Sequence, residues 1–370
     1  MFLKELKLEN FRNLENLELS FDKKINIFVG NNAQGKTNIL ESIYFLAITK
    51  SHRTRNELNL IKKDTLYTKV SALYLNDTEK PNRLSILLNE KGKKVEVNNI
   101  IQKKISNYLS NLNVIMFCPD DLDIVKGSPS IRRKFLNIEL SQLNKVYVSK
   151  LKEYNLVLKQ RNEYLKQKNN AKFNKNYFDI LTKQIIEKNI EIVKFRYKFI
   201  DEINEFLEDI FNNIFESGVL KIKYKSFIEK EDLNKKEVND LLFKKFERIF
   251  TNELLQKTTL LGCHKDDFQM YLNDLSVMDF CSQGQQRLTI LSLKLAELEV
   301  FIKKNNIYPI VLLDDIFSEL DENKKNNIIK YFNNKIQIFI STTEINDIKQ
   351  SFKENSDIFV VENGKISKEE

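Results

Sequence analysis

The residues Gly30-Asn31-Asn32-Ala33-Gln34-Gly35-Lys36-Thr37 constrain the fold more than any other stretch of the chain. They lie between Ile25–Val29, a short apolar run with the character of a buried strand, and a segment whose apolar residues Leu40, Ile43, Tyr44 and Ala47 recur at helical spacing. Glycine at both ends lets the backbone curl until successive N–H groups face one point, and the helix start adds positive potential there. Lys36 at that start can reach β- and γ-phosphates, and the Thr37 hydroxyl can ligate Mg²⁺. Only 8 glycines occur in 370 residues, so a glycine-rich composition does not explain the arrangement. It reads as a nucleoside triphosphate site built on a strand–loop–helix unit.

Two further stretches belong with it. Ile310-Val311-Leu312-Leu313-Asp314-Asp315 is an aliphatic strand ending in two carboxylates. Asp314 suits the Mg²⁺ shell, and Asp315 suits a group that orients the attacking water. Ser318-Glu319-Leu320-Asp321 follows at once, and residues 338–340 supply another strand that runs into Ser341-Thr342-Thr343. Ser282-Gln283-Gly284-Gln285-Gln286-Arg287 opens an apolar helix carrying Leu288, Leu291, Leu295 and Leu298. Such a helix start is a second phosphate-binding device. One γ-phosphate hardly needs two helix termini from one chain, so the second is expected to serve a partner subunit. A Gln-rich exposed helix start is the alternative.

The rest of the chain divides by periodicity and charge. Leu6 and Leu8, then Leu17, Leu19 and Phe21, alternate with polar residues as in an antiparallel pair of strands; residues 69–97 and 113–117 hold further strand candidates. From Ser130 to Phe215 there is neither Pro nor Gly, and apolar residues recur at three and four, which predicts two long helices joined near residues 169–176. Residues 126–200 carry 18 basic and 6 acidic side chains, whereas residues 201–370 carry 23 and 31. That imbalance suits an anionic polymer such as DNA, with Lys126, Arg132, Arg133, Lys134, Lys150 and Lys152, then Lys159 and Arg161, as phosphate contacts. A solvated, Lys-decorated helical pair is the alternative, and Arg132 and Arg133 could equally be structural. The aromatic residues fall at core-like spacing and form no base-stacking stripe, which favours duplex or junction over single strand. His52, alone in a polar turn, reads as solvated. Three scattered cysteines (Cys118, Cys263, Cys281) give no disulfide framework and no zinc site, and they point to a reducing cytoplasm. The charged N-terminus is no secretory signal, no run is apolar enough to span a membrane, and the tail beyond Gly364 is expected to fray.

These stretches, taken together, resemble one family. SQGQQR ahead of LLDD and SELD is similar to the ABC-type ATPase heads of SMC proteins, and most of all to the RecF family. LENFRNL from Leu8, SHRT from Ser51, PDDLDIVKGSPSIRRKFL from Pro119, LLGCHKDDF from Leu260 and SQGQQRLTILSLKLAE from Ser282 resemble that family in order along nearly the whole chain. Where the family carries Pro and Arg in its GPHRDD stretch, this chain has Cys263 and Lys265; His264, Asp266 and Asp267 match.

The resemblance implies a two-lobed α/β P-loop ATPase head. Residues 1–125 and 256–370 would form the ATPase lobe, and a mostly helical second lobe would span 126–255. It implies ATP and Mg²⁺ held in a head-to-tail homodimer, with residues 30–37 of one subunit facing residues 282–286 of the other and Asp321 at the seam. Arg12 and Asn13 would lie near the nucleotide, Asp120 would sense the γ-phosphate, and Lys36 and Asp315 would act in catalysis. Asp315 stands where transporters carry a catalytic Glu, and Thr342-Thr343 stand where they carry a switch His. Hydrolysis is therefore expected to be slow, with the nucleotide used as a clamp. The implied task is recombination mediation in DNA repair and replication restart: binding DNA at gap junctions and, with RecR and RecO, helping RecA load. The ATPase subunit of a membrane transporter is the rival reading.

Overall fold

The first strands follow directly from alternation. β1 (Phe2–Phe11) and β2 (Leu14–Ser20) pair antiparallel, with Leu6, Leu8 and Leu19 turned inward. Arg12 makes the tight turn between them in the left-handed region, at φ 55°. β3 (Ile25–Val29) leads through the glycine loop into α1 (Lys36–Ile48). β4 (Tyr67–Leu75), β5 (Pro81–Asn89), β6 (Gly92–Val97) and β7 (Ile100–Ile101) extend the first pair into an antiparallel sheet of order β2-β1-β4-β5-β6-β7. After α2 (Ile105–Tyr108), β8 (Val114–Phe117) is buried throughout.

The computed structural model describes residues 1–167, 173–215, 217–317, 320–332, 336–343 and 355–369. The chain forms two units: one from residues 1–122, 209–217 and 287–370, the other from 123–208 and 218–286. The second unit holds α3 (Asp123–Lys126), α4 (Pro129–Leu143), α5 (Lys145–Lys166) and most of α6 (Lys175–Ile214). Pro129 stands at the first turn of α4, and the Asn144 side chain caps α5 by accepting from the Val146 and Tyr147 amides. Three helices therefore stand where two were expected; part of the predicted junction, 168–172, lies outside the described residues. β9 (Leu220–Lys225), α7 (Val238–Gln256), β10 (Asp267–Leu272), β11 (Leu275–Ser276) and α8 (Val277–Phe280) complete this unit, with sheet order β11-β10-β9.

The expected boundary at 256 is displaced, for a physical reason. β10 pairs with β9 from Asp267↔Lys225 to Leu272↔Leu220, and the segment before it closes on Arg196 of α6. That guanidinium, 1% exposed, donates to the Cys263 carbonyl (2.7 Å), Asn137 Oδ1 (3.0 Å) and the Tyr147 hydroxyl (3.2 Å), and it pairs with Asp266 at 3.4 Å. A buried cation requires such partners, so residues 256–286 belong with the helical unit. Burial pushes the Cys263 thiol up to about 12, which fits an inert, small core filler.

α9 (Gln283–Glu299) leads back to the first unit, where β12 (Ile310–Asp314), α10 (Glu322–Tyr331), β13 (Ile338–Thr342), β14 (Ser356–Glu362) and β15 (Lys365–Lys368) follow. The second sheet runs β15-β14-β3-β13-β12-β8, parallel except for β15. β8, β12 and β13 are buried residue by residue, as two-sided parallel strands must be. The expected fraying beyond Gly364 is replaced by a strand over Lys365–Lys368. Gly364, at φ 76°, turns β14 back into β15. Among the described residues no helix is long and apolar enough to cross a membrane.

Candidate nucleotide site and basic surface

The parallel sheet brings the chemistry together at one edge, where its strands end. In register, Asp314 lies opposite Ser341, Thr342 opposite Val29, and Leu313 opposite Phe117. The residues following β3, β8, β12 and β13 therefore share that edge. The loop after β3 is shaped by two left-handed residues, Ala33 at φ 65° and Gly35 at φ 116°. Gly30 is required for another reason: a Cβ there would collide with the carbonyl of Val361 in β14. The C-terminal hairpin also holds the loop directly, since the Asn363 amide donates to Gln34 Oε1 and the Gly364 amide to the Gln34 carbonyl at 3.1 Å. Asn31, Asn32 and Ala33 form the exposed rim.

Lys36 folds back over this loop. Its Nζ donates to the carbonyls of Gly30 (2.5 Å) and Asn31 (2.8 Å), and the residue is 7% exposed. Burial lowers its pKa, opposed by Asp315 and Asp314. The first turn of α1 contains no acidic residue and its cap makes no side-chain bond, which leaves the N-terminal donors for an anion. Thr37 Oγ1 donates to Asp314 Oδ1 at 2.9 Å, as does Ser341 Oγ at 2.5 Å. Burial raises the Asp314 carboxyl above its ordinary value, and these two hydroxyls only partly oppose it. A hydroxyl and one carboxylate converging in this way are the hard, sparse donor set that suits Mg²⁺, which keeps several waters and phosphate oxygens of its own. Asp315 sits beyond the strand end at φ 50°, its amide donating to the Ser341 carbonyl at 3.2 Å. A left-handed Asp costs strain, which is characteristic of functional sites.

Asn13 is brought to the loop: its Nδ2 faces the Gln34 carbonyl at 3.4 Å, and a Cβ on Gly35 would lie 3.1 Å from it. Arg12 lies one step away, with its guanidinium gripping Glu41 of α1 through Nε (3.0 Å) and Nη2 (2.8 Å). Asp120 is exposed on the 3₁₀ turn Pro119–Leu122 after β8. Asp321 caps α10, accepting from the Lys324 amide at 2.9 Å, while Ser318 and Glu319 lie outside the described residues. Thr342 is buried at the end of β13 with Thr343 following it.

Sequence reasoning missed Glu41 and Arg53. Glu41 has no exposed surface, and Arg53 donates to Asn38 Oδ1 at 2.9 Å. A lone Glu at an otherwise apolar position of α1, followed past the helix end by Ser51 and Arg53, was the available signal. His52 is not a solvated side chain: its ring stands edge-on to Tyr44 at 5.3 Å and is half-buried.

In the second unit, Ser282 and Gln285 form a reciprocal capping box. The Gln285 amide donates to Ser282 Oγ (3.2 Å) and the Ser282 amide to Gln285 Oε1 (3.1 Å). Gln286 points away from this terminus: it is 5% exposed, and its Nε2 donates to the carbonyls of Val277, Met278 and Cys281 around α8. Ser282, Gln283 and Gly284 are exposed, and Gln285 is half-buried.

The basic residues fall into two groups. Lys126, Lys152 and Lys159 are exposed, and Arg133 donates to the Asp266 carbonyl at 2.8 Å. Lys134 is exposed as well, and Lys150 pairs with Glu191 at 2.7 Å. Arg132 and Arg161 need correction. Arg132 is 7% exposed, bidentate on Asp267 at 2.5 and 3.0 Å, and bonded to the Ile124 and Gly127 carbonyls. Arg161 is fully buried against Glu253 at 2.6 Å. Both are spent on carboxylates of the fold, and Arg161 has no surface, and Arg132 almost none, to offer a phosphate.

No family model matches the chain. Among curated proteins, the DNA replication and repair protein RecF of Bacillus mycoides (strain KBAB4) is 40% identical over 370 residues, covering 99% of this chain and 98% of its own. RecF of Bacillus thuringiensis (strain Al Hakam) is 39% identical over 370 residues, with the same coverage of both chains. Among solved structures, the recombination mediator protein RecF with ATP, in the RecFOR pathway, superposes with TM-score 0.92 at 30% identity, covering 100% of this chain and 98% of that one. An SMC head bound to the C-winged helix domain of ScpA shares the fold, with TM-score 0.57 at 15% identity. The transporter reading gives way to matches that run along nearly the whole chain: the chain belongs to the RecF family.

Proposed function

We propose that this chain is an ATP-gated DNA clamp. ATP would be bound by residues 30–37, with Lys36 on the β- and γ-phosphates and the amides of the loop and α1 around them. Thr37 and Asp314 would hold Mg²⁺, which supplies charge neutralisation between the phosphates when bound. Asp315 would orient the attacking water. Its carboxylate, one methylene shorter than a Glu, fits slow turnover and a nucleotide used mainly to hold a state.

The dimer reading is carried by Gly284. A Cβ there would meet nothing nearer than Ser282 Oγ at 3.9 Å, so nothing among its described neighbours requires glycine at the start of α9. A backbone or phosphate arriving from outside would require it. We therefore place the terminus at Ser282, Gln283, Gly284 and Gln285 against the γ-phosphate held by a second copy, with Asp321 near that seam. Closing such a homodimer would bring together the exposed Lys126, Lys134 and Lys152, with Arg133 and Lys150, as sequence-independent phosphate contacts for duplex or gap-junction DNA. The relatives' roles in DNA replication, repair and recombination mediation support a cytoplasmic task in which RecR and RecO are partners and RecA loading the outcome.

The experiment is Gly284→Ala, and its opposite outcomes are distinct. The variant is expected to fold at least as well as the parent, because Ala is the better helix former by up to about 1 kcal/mol. It should bind ATP normally as a monomer and lose ATP-dependent dimerisation by roughly tenfold or more, the cost of about 1.4 kcal/mol at the seam. Unchanged dimerisation would remove the terminus from the interface.

A further inference from the structure

Glu41 is a carboxylate in the second turn of α1 with no exposed surface. A buried charge of this kind costs several kcal/mol unless it is paired and hydrogen-bonded. Four donors meet it: Arg12 Nε at 3.0 Å, Arg12 Nη2 at 2.8 Å, Ser51 Oγ at 2.5 Å and Arg53 Nη1 at 3.5 Å. Burial pushes its pKa up, but Arg12, and after it Ser51, outweigh that and hold it below its ordinary value. Glu41 is therefore an anion between two cations.

The two arginines are not equivalent. Arg12 is 20% exposed, bidentate on Glu41, and donates from Nη1 to the Asn59 carbonyl at 2.9 Å. Its donors are engaged within the fold. Arg53 is 43% exposed and meets Glu41 only at 3.5 Å. Its shorter bond goes to Asn38, in the first turn of α1 next to Thr37, and Asn38 Nδ2 in turn donates to Asn13 Oδ1 at 2.7 Å. Asn13 faces the glycine loop at Gln34. A guanidinium is thus tethered at the helix start, beside the loop and the Mg²⁺ donors, by one relaxed ion pair and one amide.

We propose that Glu41 is a positioning residue that aims Arg53 at the triphosphate, with Arg12 as the fixed counter-charge that keeps Glu41 in place. The proposal rests on reading residues 30–37 as an ATP site. Without the carboxylate, two neighbouring guanidiniums repel each other and Arg53 has only Asn38 to hold it. An arginine that meets the phosphates in the transition state contributes to turnover more than to ground-state binding.

The test is a double-mutant cycle on the full chain with Glu41→Gln, Arg53→Ala and the pair, reading steady-state ATP turnover and equilibrium binding of a fluorescent ATP analogue. Each single variant is expected to lower turnover by roughly 10- to 100-fold while the analogue's Kd changes by less than about threefold. The pair is expected to be no slower than the slower single, because both remove one function. Losses that multiply would overturn the proposal, since Glu41 would then act independently of Arg53. Should Glu41→Gln unfold, the exposed Arg53→Ala still decides: unchanged turnover overturns the proposal, and a loss rescued in part by Arg53→Lys supports it. Failure of the wild-type chain to bind the analogue would overturn the ATP-site reading beneath it, whereas binding that vanishes in Lys36→Ala with turnover untouched in Arg53→Ala would overturn the positioning role alone.

Discussion

Lys36→Ala is expected to abolish nucleotide binding at micromolar ATP without unfolding the protein. The ammonium is the side-chain cation that closes the glycine loop, held at 2.5 and 2.8 Å from two of its carbonyls and nearly excluded from water. Against phosphate it would make charge-assisted hydrogen bonds, each worth about 1.5–3 kcal/mol, so affinity should fall by roughly 10- to more than 100-fold. Stability should respond in the opposite sense. Burial already lowers the pKa of Lys36, which marks the charge as a burden on the nucleotide-free fold. Calorimetric titration with Mg·ATP would measure the loss, and thermal melting would show it a second way. The wild-type chain should melt higher with saturating ATP, by the mass-action stabilisation of a ligand that binds only the folded state, and the variant should not shift.

Arg161→Ala has the largest expected effect on stability. The guanidinium and Glu253 are both fully buried, joined at 2.6 and 3.1 Å. Arg161 also donates to Thr259 Oγ1 at 2.8 Å and to Thr182 Oγ1 at 3.2 Å, and it lies over the rings of Phe178 (4.4 Å) and Phe246 (4.9 Å). Truncation leaves Glu253 charged and buried, with only the Leu260 amide among these partners. Breaking such a pair costs about 3–5 kcal/mol. The chain has two units, so the loss should appear as an earlier transition of the helical unit rather than a shift of one common melt. Arg161→Met with Glu253→Leu, which removes both charges and keeps the volume, should recover most of the loss. Differential scanning calorimetry of the three proteins distinguishes this from a surface ion pair, which would move the melt by less than about 1 kcal/mol.

The glycine loop and the strand-end carboxylates were legible in the sequence because their signals are local. Gly30, Gly35, Lys36 and Thr37 sit within one strand–loop–helix, and the Asp314-Asp315 pair ends an unmistakable aliphatic strand. What remained illegible is long-range. Nothing near Gly30 announces that Val361 passes beside it, nor that Asn363 and Gly364 would hold Gln34. A short charged tail looks frayed until it pairs as β14 and β15. Arg132 and Arg161 carry the same letter as a DNA-facing arginine, and only the positions of Asp267 and Glu253, 135 and 92 residues away, make them internal. The segment 256–286 was assigned by its neighbours in sequence, whereas its strand β10 pairs with β9 and its Cys263 and Asp266 close on Arg196. Glu41 went unnoticed because a single carboxylate on an apolar helix carries no meaning until its arginines are placed.

If ATP makes a DNA-holding dimer of this chain, Asp315→Asn isolates that state by removing the group expected to orient water while leaving Lys36, Thr37 and Asp314 intact. Sedimentation velocity of this variant with Mg·ATP, with and without a gapped duplex, tests it most directly. The expected result is a monomer without nucleotide, a dimer with Mg·ATP, and co-sedimentation of that dimer with the DNA. A variant that binds ATP yet remains a monomer and ignores the duplex would contradict it.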